Sequence, residues 1–249
     1  MHFFYGFKNN FFKSELLIPT FINTKFKKKE HYLLCKGYIE NNNWKFKILD
    51  KKKIEDKFYL INSDNFSNDD FFFLITEDNF DKLNPNKLLN FEKFSVRANL
   101  KLYLDNGGFS SYQSDYPYRM VGIKGNVTCA IGTLANKNAD KNYILFRNIF
   151  QNPIKEKFNS YLLDVKTNNK VHEFINYTNT TNIMELDKDF IKPEIYFMSD
   201  KYIGIPSFIS IKNKHLSFEH THPPHAYILN PKKFYLVDKL KRKVDEIIN

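Results

Sequence analysis

Cysteine is nearly absent from this 249-residue chain. Cys35 and Cys129 lie far apart in separate apolar stretches, and two distant cysteines make no disulfide framework. Each is expected as a buried free thiol in a reducing compartment. Arginine is almost as scarce, occurring only as Arg97, Arg119, Arg147 and Arg242. No apolar run is long enough to cross a bilayer, and Phe71-Phe72-Phe73-Leu74-Ile75 is of strand length. The opening Met1-His2-Phe3-Phe4-Tyr5 lacks the basic region, long apolar run and cleavage site of a signal peptide, so a cytoplasmic location is expected. The sequons Asn126-Val127-Thr128 and Asn179-Thr180-Thr181 are expected by chance in so asparagine-rich a chain. Gly-x-Gly-x-x-Gly, a Walker loop, Gly-x-Ser-x-Gly and Cys-x-x-Cys are all missing, which removes the usual nucleotide cradles, the hydrolase elbow and a zinc ribbon.

What fills the chain is lysine, asparagine and aromatic residues, with 26 Phe and 15 Tyr. The length can bury a sizeable core, and 42% hydrophobic residues is a globular composition. Lys and Arg total 38 against 28 Asp and Glu, a net charge of +10. Nearly all of that charge is lysine, which travels with Asn, Ile, Phe and Tyr, all read from AT-rich codons. A genomic composition bias explains it better than a nucleic-acid site, which favours the arginine fork. Nucleic acid is therefore not the expected partner.

Residues that resist such a bias mark positions of interest. Ala98, Ala130, Ala135 and Ala139 share one stretch with Gly107, Gly108, Gly122, Gly125 and Gly132. A second enrichment runs from Gly204 and Pro206 to Pro223, Pro224, His225 and Ala226.

Val96, Ala98, Leu100, Leu102 and Leu104 alternate with Arg97, Asn99, Lys101, Tyr103 and Asp105, which predicts a strand with one buried and one wet face. Asp105-Asn106-Gly107-Gly108 turns the chain into a second strand at Phe109. Other strands are predicted at 31–39, 44–49, 58–61, 71–76, 127–134, 143–150, 157–165, 171–176, 182–186, 194–198, 203–211, 216–220 and 226–229. Asn41-Asn42-Asn43 and Thr167-Asn168-Asn169-Lys170 read as hairpin turns. Asn84-Pro85 opens a short mid-chain helix through Leu88 and Leu89. Phe234, Val237, Leu240, Val244 and Ile247 form the apolar stripe of an amphipathic C-terminal helix. The fold class is thus mainly β, an antiparallel β-sandwich or barrel with a short mid-chain helix and that C-terminal helix. The expected organisation is an N-terminal β-rich subdomain at 1–92, the sandwich or barrel at 93–230 and the helix at 231–249.

Two segments could carry function. Four of the seven histidines are His215, His220, His222 and His225. On a strand His220 and His222 point the same way, and Pro223-Pro224 forces a stiff turn that could return His225 beside them. Three imidazoles so held suit zinc or iron, with Glu219 either as the base or as a group supporting the ligands. His-x-His on a strand resembles the opening of the metal site in cupin-type barrels, but the following glutamate and the flanking glycines of that motif are missing, so membership is not assigned. The structural alternative puts His220 on the core face with Leu216 and Phe218.

The second segment runs from Gly107 to Arg119. Its Tyr112, Tyr116, Tyr118 and Arg119 offer the flat rings and planar polar groups that sugars and protein interfaces use. Arg147, on an apolar face, could join Arg119 in holding an anion, although a structural ion pair suits it better. The function expected is that of a β-sandwich binding protein for a glycan or protein partner. The alternative is a zinc- or iron-dependent β-barrel enzyme acting on a small polar or sugar-derived substrate. Lysine-driven association with a membrane surface or nucleic acid ranks third, since it would demand a steep salt dependence.

Overall fold

The structure is a computed structural model that describes residues 3–19, 32–49, 53–54, 58–84, 98–114, 126–201, 206–220 and 231–248. In chain order its strands are β1 (Lys13–Pro19), β2 (Tyr32–Glu40), β3 (Asn43–Ile48), β4 (Lys53–Ile54), β5 (Phe58–Asn62), β6 (Phe71–Thr76), β7 (Ala98–Tyr103) and β8 (Phe109–Ser114). They continue with β9 (Asn126–Ala130), β10 (Lys141–Arg147), β11 (Lys157–Asp164), β12 (Asn169–Tyr177), β13 (Thr181–Glu185), β14 (Ile195–Ser199), β15 (Ser207–Lys212) and β16 (His215–His220). A helical turn, α1 (Glu77–Phe80), and a long helix, α2 (Lys233–Ile248), complete the set. The expected helix at Leu88 and Leu89, the strand at 226–229 and the subdomain boundary near residue 92 lie outside the described residues.

The strands form four antiparallel sheets, ordered β4-β5-β1-β7-β8, β3-β2-β6, β13-β10-β15-β16 and β12-β11-β14-β9. Each order is linear, so no barrel closes among the described strands. The chain divides into two compact units. One comprises Met1–Gly122, Asn148–Lys155 and Asn179–Thr181, and the other the remaining segments from Ile123 onward.

In the first unit β6 is buried on both faces, as a continuous apolar strand requires. Phe71, Phe73 and Ile75 join Phe3, Leu33, Cys35, Trp44 and Ile149 in one core. On the opposite face Phe72 meets Phe66 edge-on at 5.7 Å. Each buried ring contributes about 1.5–3 kcal/mol. Cys35 is the buried free thiol expected of it. Gly37 is required by close approach, because a Cβ there would stand 2.3 Å from Cζ of Phe71. Asn179 anchors the two inserted segments. Its amide oxygen accepts from the Phe150 N–H at 2.7 Å, and its amide nitrogen donates to the carbonyls of Asn152 and Ile154 at 2.7 and 2.9 Å.

In the second unit two sheets face each other across a shared core, which makes a sandwich. Ile144, Phe146, Met184 and Phe208 from one sheet interleave with Phe158, Leu162, Ile195 and Phe197 from the other. On the outer face of the second sheet, Leu240, Val244 and Ile247 of α2 pack on Tyr161, Leu163 and Met198. Phe234 departs from the expected stripe, being 66% exposed. It lies six residues before Leu240, about 240° around the helix, and so falls to the side of the buried face.

Asparagine does the work of the scarce glycines. Among the described non-glycine residues with positive φ, five are asparagines, namely Asn41, Asn42, Asn168, Asn179 and Asn213, and the sixth is Lys214. Asn41 and Asn42 have φ 50° and 56° in the two-residue β2–β3 loop, the left-handed pair that a tight hairpin demands.

Two local expectations change. The strand predicted at 127–134 stops at Ala130 and becomes a 3-10 turn, Ile131–Thr133. There the Gly132 N–H reaches the Lys192 carbonyl at 3.3 Å, and a Cβ on Gly132 would sit 2.8 Å from that backbone. Strand β1 was not predicted at all. Its Ser14, Leu16 and Ile18 face inward, but the adjoining Leu17 turns the pattern into a short apolar run and hides the period of two.

Candidate binding face

The β7–β8 hairpin is built as its alternation predicts. Ala98, Leu100 and Leu102 are buried, while Asn99, Lys101 and Tyr103 face outward. The Leu104 N–H donates to the Gly108 carbonyl at 3.2 Å, which leaves a three-residue loop of Asp105, Asn106 and Gly107. That loop length sets the register, and Tyr103 stands opposite Phe109 and Lys101 opposite Ser111. On the other side β1 brings Lys13 beside Tyr103 and Glu15 beside Lys101.

Cross-strand neighbours on one face interact directly. The Lys101 ammonium lies 4.9 Å from the centre of the Phe109 ring, 5.9 Å from that of Tyr103 and 3.4 Å from the Glu15 carboxylate. Lys13 donates to Asp105 at 3.0 Å, and this hydrogen bond together with the Asp105 charge pushes the Lys13 ammonium above its ordinary pKa. Phe109 itself is 65% exposed. The face therefore offers two aromatic rings, a cation held between them and two flanking ion pairs, on a hairpin whose opposite side is fixed in the core. Such a surface can stack on an apolar or sugar ring and hydrogen-bond its polar edge.

The residues anticipated from sequence are distributed as follows. Tyr112 lies in β8, opposite Leu100 in the register. Tyr116, Tyr118 and Arg119 lie outside the described residues, as do His222 and His225. Arg147 ends β10 as one of the largest fully buried side chains. In β16, Leu216 and Phe218 are buried and His220 is partly buried on the same face, while Glu219 is exposed. The His220 Nδ1 is 3.9 Å from the Glu219 carboxylate, an ion-pair distance only for a protonated ring. Among the described residues no group of three or more His, Cys, Asp or Glu side chains could hold a metal ion.

Tyr103 and Phe109 were not singled out from the sequence. Tyr103 was legible as a wet-face residue, and counting back across a three-residue loop places Phe109 opposite it.

Fold and face together define a class, an all-β protein of antiparallel sheets that exposes Phe109 on its β7–β8 hairpin. No family model, curated protein or solved structure matches the chain. None of its described helices is long and apolar enough to cross a membrane.

Proposed function

We propose that the chain is a non-catalytic binding protein whose contact surface is the outer face of the β7–β8 hairpin, with a glycan or a protein as partner. The observation that carries this reading is the exposure of Phe109, 65%, directly opposite Tyr103 and beside Lys101. A large ring left in water on an ordered sheet face forgoes the stabilisation of burial, and binding sites concentrate such anchors.

A glycan array followed by equilibrium titration of each hit tests the reading against the Tyr103→Ala/Phe109→Ala double variant. The expected result is saturable binding by the native chain, weakened at least tenfold in the variant. An array without hits, together with undiminished binding of any independently isolated protein partner by the variant, overturns it. Heparin retention that falls steeply with salt and is the same for both forms would transfer the function to lysine-driven association.

A further inference from the structure

Asn106-Gly107 is the one Asn-Gly pair in the sequence. It occupies the tip of the β7–β8 loop, where Asp105, Asn106 and Gly107 are all exposed. Three-residue hairpin loops commonly carry glycine in last place. Glycine also removes the side chain that elsewhere screens a backbone nitrogen from its neighbour. The Gly107 nitrogen is held only by a long bond, 3.3 Å, to the Leu104 carbonyl. Asn138 is also exposed but precedes Ala139, which keeps a side chain and whose N–H is held at 3.0 Å by the Asn136 carbonyl, and the two asparagines that precede serine are better protected. Asn62 precedes buried Ser63 at the end of β5, and Asn159 precedes buried Ser160 within β11.

We infer that Asn106 is a site of spontaneous deamidation. The Gly107 amide gives its proton to hydroxide, and its nitrogen forms a bond to Cγ of Asn106. The Cγ–Nδ2 bond breaks and ammonia leaves. One water then opens the five-membered imide, at Cγ to give aspartate or at the backbone carbonyl to give isoaspartate. The sum is amide plus water going to carboxylic acid plus ammonia, with no change of oxidation state. The product carries a new negative charge one residue from Asp105, which pairs with Lys13. In the isoaspartate form an extra methylene enters the chain inside the loop that sets the Tyr103–Phe109 register. This chemistry stands whether or not the hairpin face binds a partner.

The test is incubation of the intact purified chain at pH 8 and 37 °C, with peptide mapping over several weeks. The expected result is a gain of one mass unit in the peptide containing Asn106, split into two chromatographic forms, faster at higher pH, with stoichiometric ammonia. Gly107→Ala is expected to slow it by at least an order of magnitude, and Asn106→Ser to abolish it. Should Gly107→Ala not fold, the native and Asn106→Ser forms suffice. Deamidation that proceeds first at Asn62 or Asn159, or none at Asn106 while free model peptides of the same sequence react, overturns the inference.

Discussion

Phe218 and Phe109 are both hairpin phenylalanines, yet one is 4% exposed and the other 65%. In β16 the inward positions are Leu216, Phe218 and His220, alternating with His215, Ser217 and Glu219. In the β7–β8 hairpin the outward positions are Lys101, Tyr103 and Phe109. Place in the period of two, and not side-chain type, decides which ring is structural. By the same logic a histidine on the inward row of β16 belongs to a packed face, and an aromatic on the outward row of β8 is left in water.

The sharpest contrast is in stability. Phe218→Ala is expected to lower the unfolding free energy by about 3–5 kcal/mol in urea denaturation, and Phe109→Ala by no more than about 0.5 kcal/mol. Equal losses would break the comparison by making both rings structural. Next comes affinity, where removal of Tyr103 and Phe109 together should weaken partner binding at least tenfold, about 1.4 kcal/mol or more, with unfolding unchanged. His220→Leu should keep stability within about 1.5 kcal/mol, because leucine fills a similar volume on the packed face. Stoichiometric zinc or iron in untagged native protein, lost in His220→Leu, would instead assign that row to a metal site.

The smallest effect distinguishes the loops. Asp105 reaches across to Lys13, whereas Asp164 folds back on its own turn and accepts from the Lys166 and Thr167 N–H groups at 2.8 and 3.1 Å. Burial pushes the Asp164 carboxyl up, but the Thr167 and Lys166 donors outweigh it and hold it below the ordinary 3.8. Its contribution is thus fully present above pH 3.8 and lost as the pH falls through the lowered value. Asp164→Asn should flatten the acid limb of stability in that window, and an unchanged limb would remove Asp164 from the account.

Most strands were legible because half-buried sheets write a period of two, and because asparagine pairs announce left-handed turns. The strand predicted at 71–76 matches β6, and those at 44–49 and 58–61 lie within a residue of β3 and β5. β1 escaped because Leu16, Leu17 and Ile18 are all apolar although only the outer two are buried. The end of β9 escaped because its cause, the backbone approach at Gly132, involves a residue sixty positions away. The candidate face was half legible. The hairpin and its turn followed from local pattern, but the choice of Phe109 as the exposed anchor depends on loop register, which composition does not convey. The core-face alternative for His220 was legible from Leu216 and Phe218, which share its row, while His222 and His225 lie outside the described residues.

Asn179 begins an Asn-Thr-Thr acceptor sequence, yet it is wholly enclosed, with three bonds holding its amide. Oligosaccharide transfer to that nitrogen would have to outrun folding, and a sugar attached there would strip the inserted segments of their clasp. A chain steered experimentally through a glycosylating compartment should therefore emerge either bare at Asn179 or misfolded.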